Sequence, residues 1–384
     1  MKKPLRIILS LMLLLTGITG CAATKESSNV ESTSTSTTTA LNAVSVNYDN
    51  DDYYFDWKNS SYKTIGLNGS LSTLKGDGLA VQGSVVTISA SGVYEITGTL
   101  TDGSIIVDVN TDTDKETVFL VLNGATIESK TSAPIYIKGA KKAVILLENG
   151  TKNSVSDGSG TVVNADGEPS AAIFSKADLT ITGSGTLTVT AAYNDGITCK
   201  DDLKVTDGTL LINAKADGIV GKDSLNVKNG SITITAGKDG LRSTNETAEG
   251  KGNVVVQNGQ ITITAANNAI QASKLLQIDA GKLNLNSGGG YPGKSISSGN
   301  NDFGGRPGQD ATATTKSTVE EESKKGLKAG QGILINGGTI NVSSYEDSIH
   351  SNTDVAINDG ILTLVVMMGY TLTTIYSSTR VKLP

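Results

Sequence analysis

Asp195-Gly196-Ile197, Asp217-Gly218-Ile219 and Asp239-Gly240-Leu241 stand 22 residues apart, and that interval decides the fold. A turn glycine follows the first position by 13 residues at Gly208 and Gly230, and again at Gly360 counted from Asp347. The same step joins Ala172 to Gly185, Asn268 to Gly281 and Lys325 to Gly338. Two markers holding one interval through six units define an internal repeat. A further unit, from Asp239, reaches Asn258-Gly259 only after seven extra residues, a loop that contains Asn245, Glu246 and Glu249.

Between the markers lie Leu203-Lys204-Val205, Leu210-Leu211-Ile212 and Ser231-Ile232-Thr233-Ile234-Thr235, apolar on alternate residues as half-buried strands are. A unit of three short strands cannot bury its inward face alone, so successive units must stack around one continuous core. Stacking places equivalent residues about 4.8 Å apart in ladders. The glycine after each Asp or Asn is expected to supply positive φ at a corner. No stretch sustains a 3.6-residue period, and 44 glycines against six prolines suit short strands and tight turns. The expectation is an all-β, right-handed parallel β-helix with three short strands per coil of about 22 residues.

Working outward, residues 111–364 are assigned to the solenoid, with looser coils at its start such as Ala133-Pro134-Ile135-Tyr136 leading to Asn149-Gly150. Residues 46–110 alternate without the repeat and are expected to form a β cap over the open end. Tyr48, Tyr53, Tyr54, Phe55, Trp57 and Tyr62 fall in that region, interleaved with Asp49, Asp51, Asp52 and Asp56. Aromatic faces beside carboxylates suit sugars, but a hydrophobic plug over the first coil is the expected use. The repeat pauses over 287–324, a Gly-rich and charged stretch expected to be a surface loop between coils.

The chain starts with Lys2, Lys3 and Arg6 ahead of an apolar run from Ile7 to Leu15, too short to span a bilayer. Residues 1–20 read as an export signal ending in Ile18-Thr19-Gly20-Cys21, which resembles a bacterial lipobox. Cys21 is then the lipidation site, residues 21–45 a Ser/Thr-rich tether, and the outer face of the cytoplasmic membrane the location. The membrane is reached through the lipid anchor alone. Cys199 is left without a partner and is expected to be a small buried hydrophobe. The signal carries three positive charges, so the formal −6 becomes about −9 for the mature chain, which argues against a nucleic-acid partner. A monomer is expected.

The Asp-Gly-Ile units, the Asn-Gly-X-Ile-Thr-Ile turns and the stretch Asn301-Asp302-Phe303-Gly304-Gly305-Arg306-Pro307-Gly308 with the following Lys325-Gly326-Leu327-Lys328 resemble a family of bacterial carbohydrate-binding β-helix lipoproteins. The resemblance covers roughly Thr64 to Leu364. It implies a pectate-lyase-like fold that binds cellulose and acidic sugars with calcium, without established lyase activity. The pattern breaks after Leu364. Met367-Met368-Gly369 must be encoded ATG ATG GGN, and two bases in the codons read Asp-Gly; the codon spanning Arg380 and Val381 then permits the turn glycine. Residues 365–384 are therefore read as a frameshifted tail, leaving the last coil uncapped and exposed.

Three chemistries follow. Unpaired carboxylates about 5 Å apart in the ladder Asp195, Asp217, Asp239 would repel by roughly 3 kcal/mol per pair at an effective dielectric near 20. Ca²⁺ between coils, with Asp201, Asp202 and Asp223 as further ligands, would offset this. So would Lys200 and Lys222; the remaining alternative is that each Asp serves its own turn and points into water. Arg242, three residues after Asp239, is the base to test if the chain is a calcium-dependent lyase; a surface charge is its bland role. His350 is the only histidine, which disfavours Ser-His-Asp and His-ligated zinc sites. The expected function is non-catalytic binding of a polysaccharide, cellulose or an acidic pectin-like glycan. A lyase, and a protein-binding adhesin or spacer, are the alternatives.

Overall fold

The computed structural model describes residues 41–163, 167–290, 322–365 and 371–381. Cys21, the signal, the start of the tether and the Asn301–Gly308 stretch lie outside them. The described chain is all-β, apart from two three-residue 3-10 turns at Asn50–Asp52 and Trp57–Asn59.

The 22-residue interval becomes parallel pairing in register. Asp195–Cys199 pairs with Ile219–Gly221, that strand with Leu241–Ser243, and so on through Ile270–Ala272 and Leu327–Ala329 to Ile349–Ser351. A second series runs from Lys142–Leu147 through Asp178–Gly183, Asp202–Val205, Ser224–Val227, Asn253–Val256 and Leu275–Ile278 to Gly332–Ile335. A third runs from Lys152–Asp157 through Thr186–Ala191, Thr209–Ala214, Ser231–Ala236, Gln260–Ala265 and Lys282–Ser287 to Thr339–Ser344. These long parallel sheets are those of a solenoid. Alternate residues such as Ile232 and Ile234, or Ile261 and Ile263, turn inward and join one core that extends from Ile65 to Leu362. The single cysteine described, Cys199, is buried in it, and burial pushes its thiol pKa up.

Two kinds of glycine mark the coils. Gly208, Gly230, Gly259 and Gly281 have φ between +104° and +117°, as the turn signal requires. Gly196, Gly218 and Gly240 do not appear at positive φ, contrary to expectation; they are needed for close approach. A Cβ on Gly240 would fall 2.4 Å from Ile263 Cγ2 and 2.5 Å from the Ala269 carbonyl oxygen.

At the N-terminal end, parallel pairing begins before residue 110. Tyr62–Gly69 pairs parallel with Gly92–Leu100, and Val85–Ile88 with Ser104–Asp108. Leu71–Lys75 and Leu79–Gln82 are the antiparallel strands there. At the other end, Thr371–Val381 pairs antiparallel with Asp354–Val365 along its length, so the edge of the last coil is paired rather than exposed.

The aromatic stretch corrects a second expectation. It does not plug the solenoid but lies along its side, on the outer face of the second series. The Val44 amide donates to Gln277 Oε1 (2.7 Å), Tyr48 OH to Gln257 Oε1 (2.9 Å) and Trp57 Nε1 to Glu148 Oε2 (2.6 Å). Leu41 packs over Gly332, and Trp57 is buried with Val93, Val121 and Leu146. Residues 41–60 thus form a strap running back over successive coils.

Candidate functional site: the aspartate ladder and the outer faces

Each ladder aspartate sits at the entry to a strand of the first series, and its carboxylate is used by the next coil. Asp195 Oδ1 accepts the Asp217 amide (3.1 Å), Asp217 Oδ1 the Asp239 amide (2.9 Å) and Asp239 Oδ1 the Asn268 amide (2.9 Å). Asn268 continues the pattern, its Oδ1 accepting the Lys325 amide (3.0 Å). The second oxygens are also engaged: Thr198 Oγ1 donates to Asp195 Oδ2 (3.1 Å), and Arg242 Nη1 lies 3.0 Å from Asp217 Oδ2 and 3.6 Å from Asp239 Oδ2. Neither Lys200 nor Lys222 neutralises the ladder; Lys200 pairs with Glu168. Burial and the neighbouring Asp217 push the Asp195 pKa up to about 6. Burial and Asp217 also raise that of Asp239.

Asp201, Asp202 and Asp223 lie at the other end of these strands, with Asp178. Lys251 stands 3.6 Å from Asp202 Oδ2 and 3.2 Å from Asp223 Oδ2. Asn245 Nδ2 donates to Asp223 Oδ1 (2.7 Å) and Ser224 Oγ to Asp202 Oδ1 (2.8 Å). The six aspartates therefore divide into two groups, each with its own cation. Hard Ca²⁺ needs six to eight oxygens converging on one point. In the ladder one oxygen of each carboxylate is spent on a backbone amide, and Arg242 occupies the place between Asp217 and Asp239. The donor set does not fit the ion, and among the described residues no group of three or more His, Cys, Asp or Glu is arranged to hold a metal.

Arg242 does not suit the role of a base either. Burial lowers its pKa, but the carboxylates of Asp217 and Asp239 outweigh this and raise it, whereas proton abstraction needs the neutral form. It is the internal cation of the ladder.

Sequence reasoning missed the outer face of the third series. In-register pairing lines up Thr188, Leu211, Thr233, Thr262, Asn284 and Asn341 in one outward row, and Thr190, Asn213, Thr235, Thr264, Asn286 and Ser343 in the next. With the flanking strands, rows of this kind cross nine strands, roughly 38 Å at 4.8 Å per step. Both rows are almost wholly hydroxyl and amide, and Asn341 Nδ2 donates to Asn284 Oδ1 across coils (2.8 Å). The signal was present as the repeated Thr-Ile-Thr, which reads as ordinary strand alternation until register aligns it.

The model of a family described as carbohydrate-binding domain-containing protein matches residues 82–367. The chain belongs to this carbohydrate-binding family. A family relative from Acetivibrio thermocellus, with the same description, is 38% identical over 154 residues, 40% of this chain and 53% of the relative. The chain thus matches about half the length of that relative. A solved structure described as a polysaccharide lyase-like protein from C. thermocellum, in a gadolinium derivative, superposes with a TM-score of 0.57 at 27% identity, over 79% of this chain and 96% of that one.

Proposed function

We propose that this member of the carbohydrate-binding family is a cell-surface protein that binds an uncharged polysaccharide, cellulose or a related glycan, without cleaving it. The carrying observation is the flat third face. A lattice of hydroxyls and amides, repeating every 4.8 Å along the solenoid, can exchange hydrogen bonds with an ordered array of sugar hydroxyls. Only at its margins do charges appear, at Glu128, Lys152 and Lys282, so an acidic glycan finds no row of cations there. The tethering of Arg242 by two carboxylates supports binding without elimination chemistry. The reading gives calcium no part. It keeps the coils as a right-handed β-helix of three strands each, and the lipid anchor at Cys21, with the tether reaching the body where Leu41 meets Gly332.

The test is depletion of the protein by insoluble cellulose and by polygalacturonate gel, with and without a chelator. Cellulose should deplete it in both conditions, and Thr233→Glu/Thr262→Glu should reduce retention at least tenfold. Retention on polygalacturonate alone, or a double variant that binds like the wild type, overturns the assignment. So does release of ultraviolet-absorbing unsaturated product.

A further inference from the structure

The turn between the second and third series forms a trench. Gly208, Gly230, Gly259 and Gly281 stack along the solenoid and leave its floor without side chains. A Cβ on Gly230 or Gly259 would come within 2.9 Å or 2.8 Å of the preceding glycine's carbonyl oxygen, so the floor must stay bare. On one side rise Asn229 and Asn258, on the other Ser231 and Gln260, and the open groove between them is about 690 Å³. That volume lies within the range of small-ligand sites, roughly 300–1,000 Å³.

The wall side chains are unspent. On the aspartate edge every equivalent carboxylate accepts a backbone amide, whereas Asn229, Asn258, Ser231 and Gln260 make no side-chain hydrogen bond among the described residues. Asp207 and Lys282 stand at the two ends, so the trench has no net charge. The strap passes nearby without lining the trench. Tyr53, 37% exposed, is held by Lys228, and Tyr48 by Gln257. Lys228 and Gln257 each precede a trench asparagine by one residue. Amides and hydroxyls facing each other over a bare floor suit the hydroxyls of sugar rings.

We infer that this trench is a second glycan site, holding one extended chain of uncharged sugars parallel to the solenoid axis, distinct from the flat face that meets an ordered surface. The inference rests on the reading of the protein as a binder of uncharged polysaccharide.

Titration calorimetry with soluble cellohexaose tests it, alongside depletion by insoluble cellulose. The wild type should bind the oligosaccharide, Asn229→Ala/Asn258→Ala should weaken that at least tenfold, and Ser231→Trp, which fills the trench, should abolish it. Both variants should melt like the wild type, because the replaced side chains are exposed and unbonded, and the asparagine variant, whose residues lie outside the third-series strands, should keep most of its retention on insoluble cellulose. Insoluble binding without oligosaccharide binding, or unchanged affinity in both variants, overturns the trench while the flat-face reading stands. Loss of both in the wild type overturns both.

Discussion

The carboxylate of Asp217 accepts the backbone amide of Asp239 at 2.9 Å, and this one contact explains how stacked acids persist at the edge of a solenoid. A hydrogen bond to a charged acceptor stabilises more than a neutral one, about 1.5–3 kcal/mol against about 1. Roughly 3 kcal/mol of repulsion per pair is therefore offset coil by coil by amides and, at Asp217 and Asp239, by Arg242. Asn268 shows that the position needs an acceptor oxygen rather than a charge.

Asp195, farthest from Arg242 in the ladder, should carry a measurable pH dependence. Its pKa is about 6 in the fold against 3.8 as the reference, so the native state holds a proton that the unfolded chain releases between those values. Stability from this group is present below pH 3.8 and is lost as pH rises from about 4 to 6, by at most about 3 kcal/mol. Asp195→Asn keeps the acceptor for the Asp217 amide and removes the titration. Melting curves of the variant and wild type should coincide near pH 4 and diverge by pH 7, with the variant higher. A gap that is constant with pH would show that Asp195 titrates normally.

Arg242→Ala leaves two buried carboxylates without their cation. Breaking such a pair costs about 3–5 kcal/mol. The variant should melt well below the wild type at pH 7, and millimolar calcium should not restore it, since the two carboxylate oxygens set free fall far short of the six to eight the ion needs. Wild-type melting should not respond to calcium or to a chelator. A wild-type melting temperature that falls by several degrees on chelation would mean that a metal, not Arg242, holds the ladder.

How much of this was legible depended on where periodicity reaches. The spacing of Asp195, Asp217 and Asp239 gave the parallel register directly, because equivalent residues of stacked coils must be neighbours. It also gave the turn glycines at 208 and 230. It did not separate Asp195 from Asp201, six positions on but at the far end of a strand, since sequence proximity is not convergence. Nor did it show that an arginine three residues past Asp239 would reach back to Asp217. The strap left a signal of another kind. Lys142–Leu147 reads Lys-Ala-Val-Ile-Leu-Leu and is buried on both faces, as is Asn253–Val256. Strands apolar at both parities are covered on both sides, and something other than the core had to cover these.

That cover has one anchor on which the rest depends. Asp52 is wholly buried, 2.7 Å from Lys142 Nζ and 2.9 Å from Lys204 Nζ, and Thr180 Oγ1 donates to it at 2.6 Å. Burial opposes its charge, but the bonds from Lys142, Thr180, the Asp49 amide and Lys204 prevail and hold its pKa down at about 2. The stability it contributes is present above the unfolded value of 3.8 and is lost as pH falls toward 2, opposite in sense to Asp195. Asp52→Ala removes the one acceptor shared by two lysines, of which Lys142 is itself buried. The expected loss is about 3–5 kcal/mol at pH 7, and the part of it carried by this titration, at most about 2.4 kcal/mol, fades as pH falls toward 2. The core beneath is continuous without the strap, so the loss should be local first. Limited proteolysis should cut residues 41–60 of the variant while the coils resist, and Trp57 fluorescence should shift to the red as its cover opens. Cleavage spread evenly through the coils would mean that the strap and the solenoid unfold as one unit.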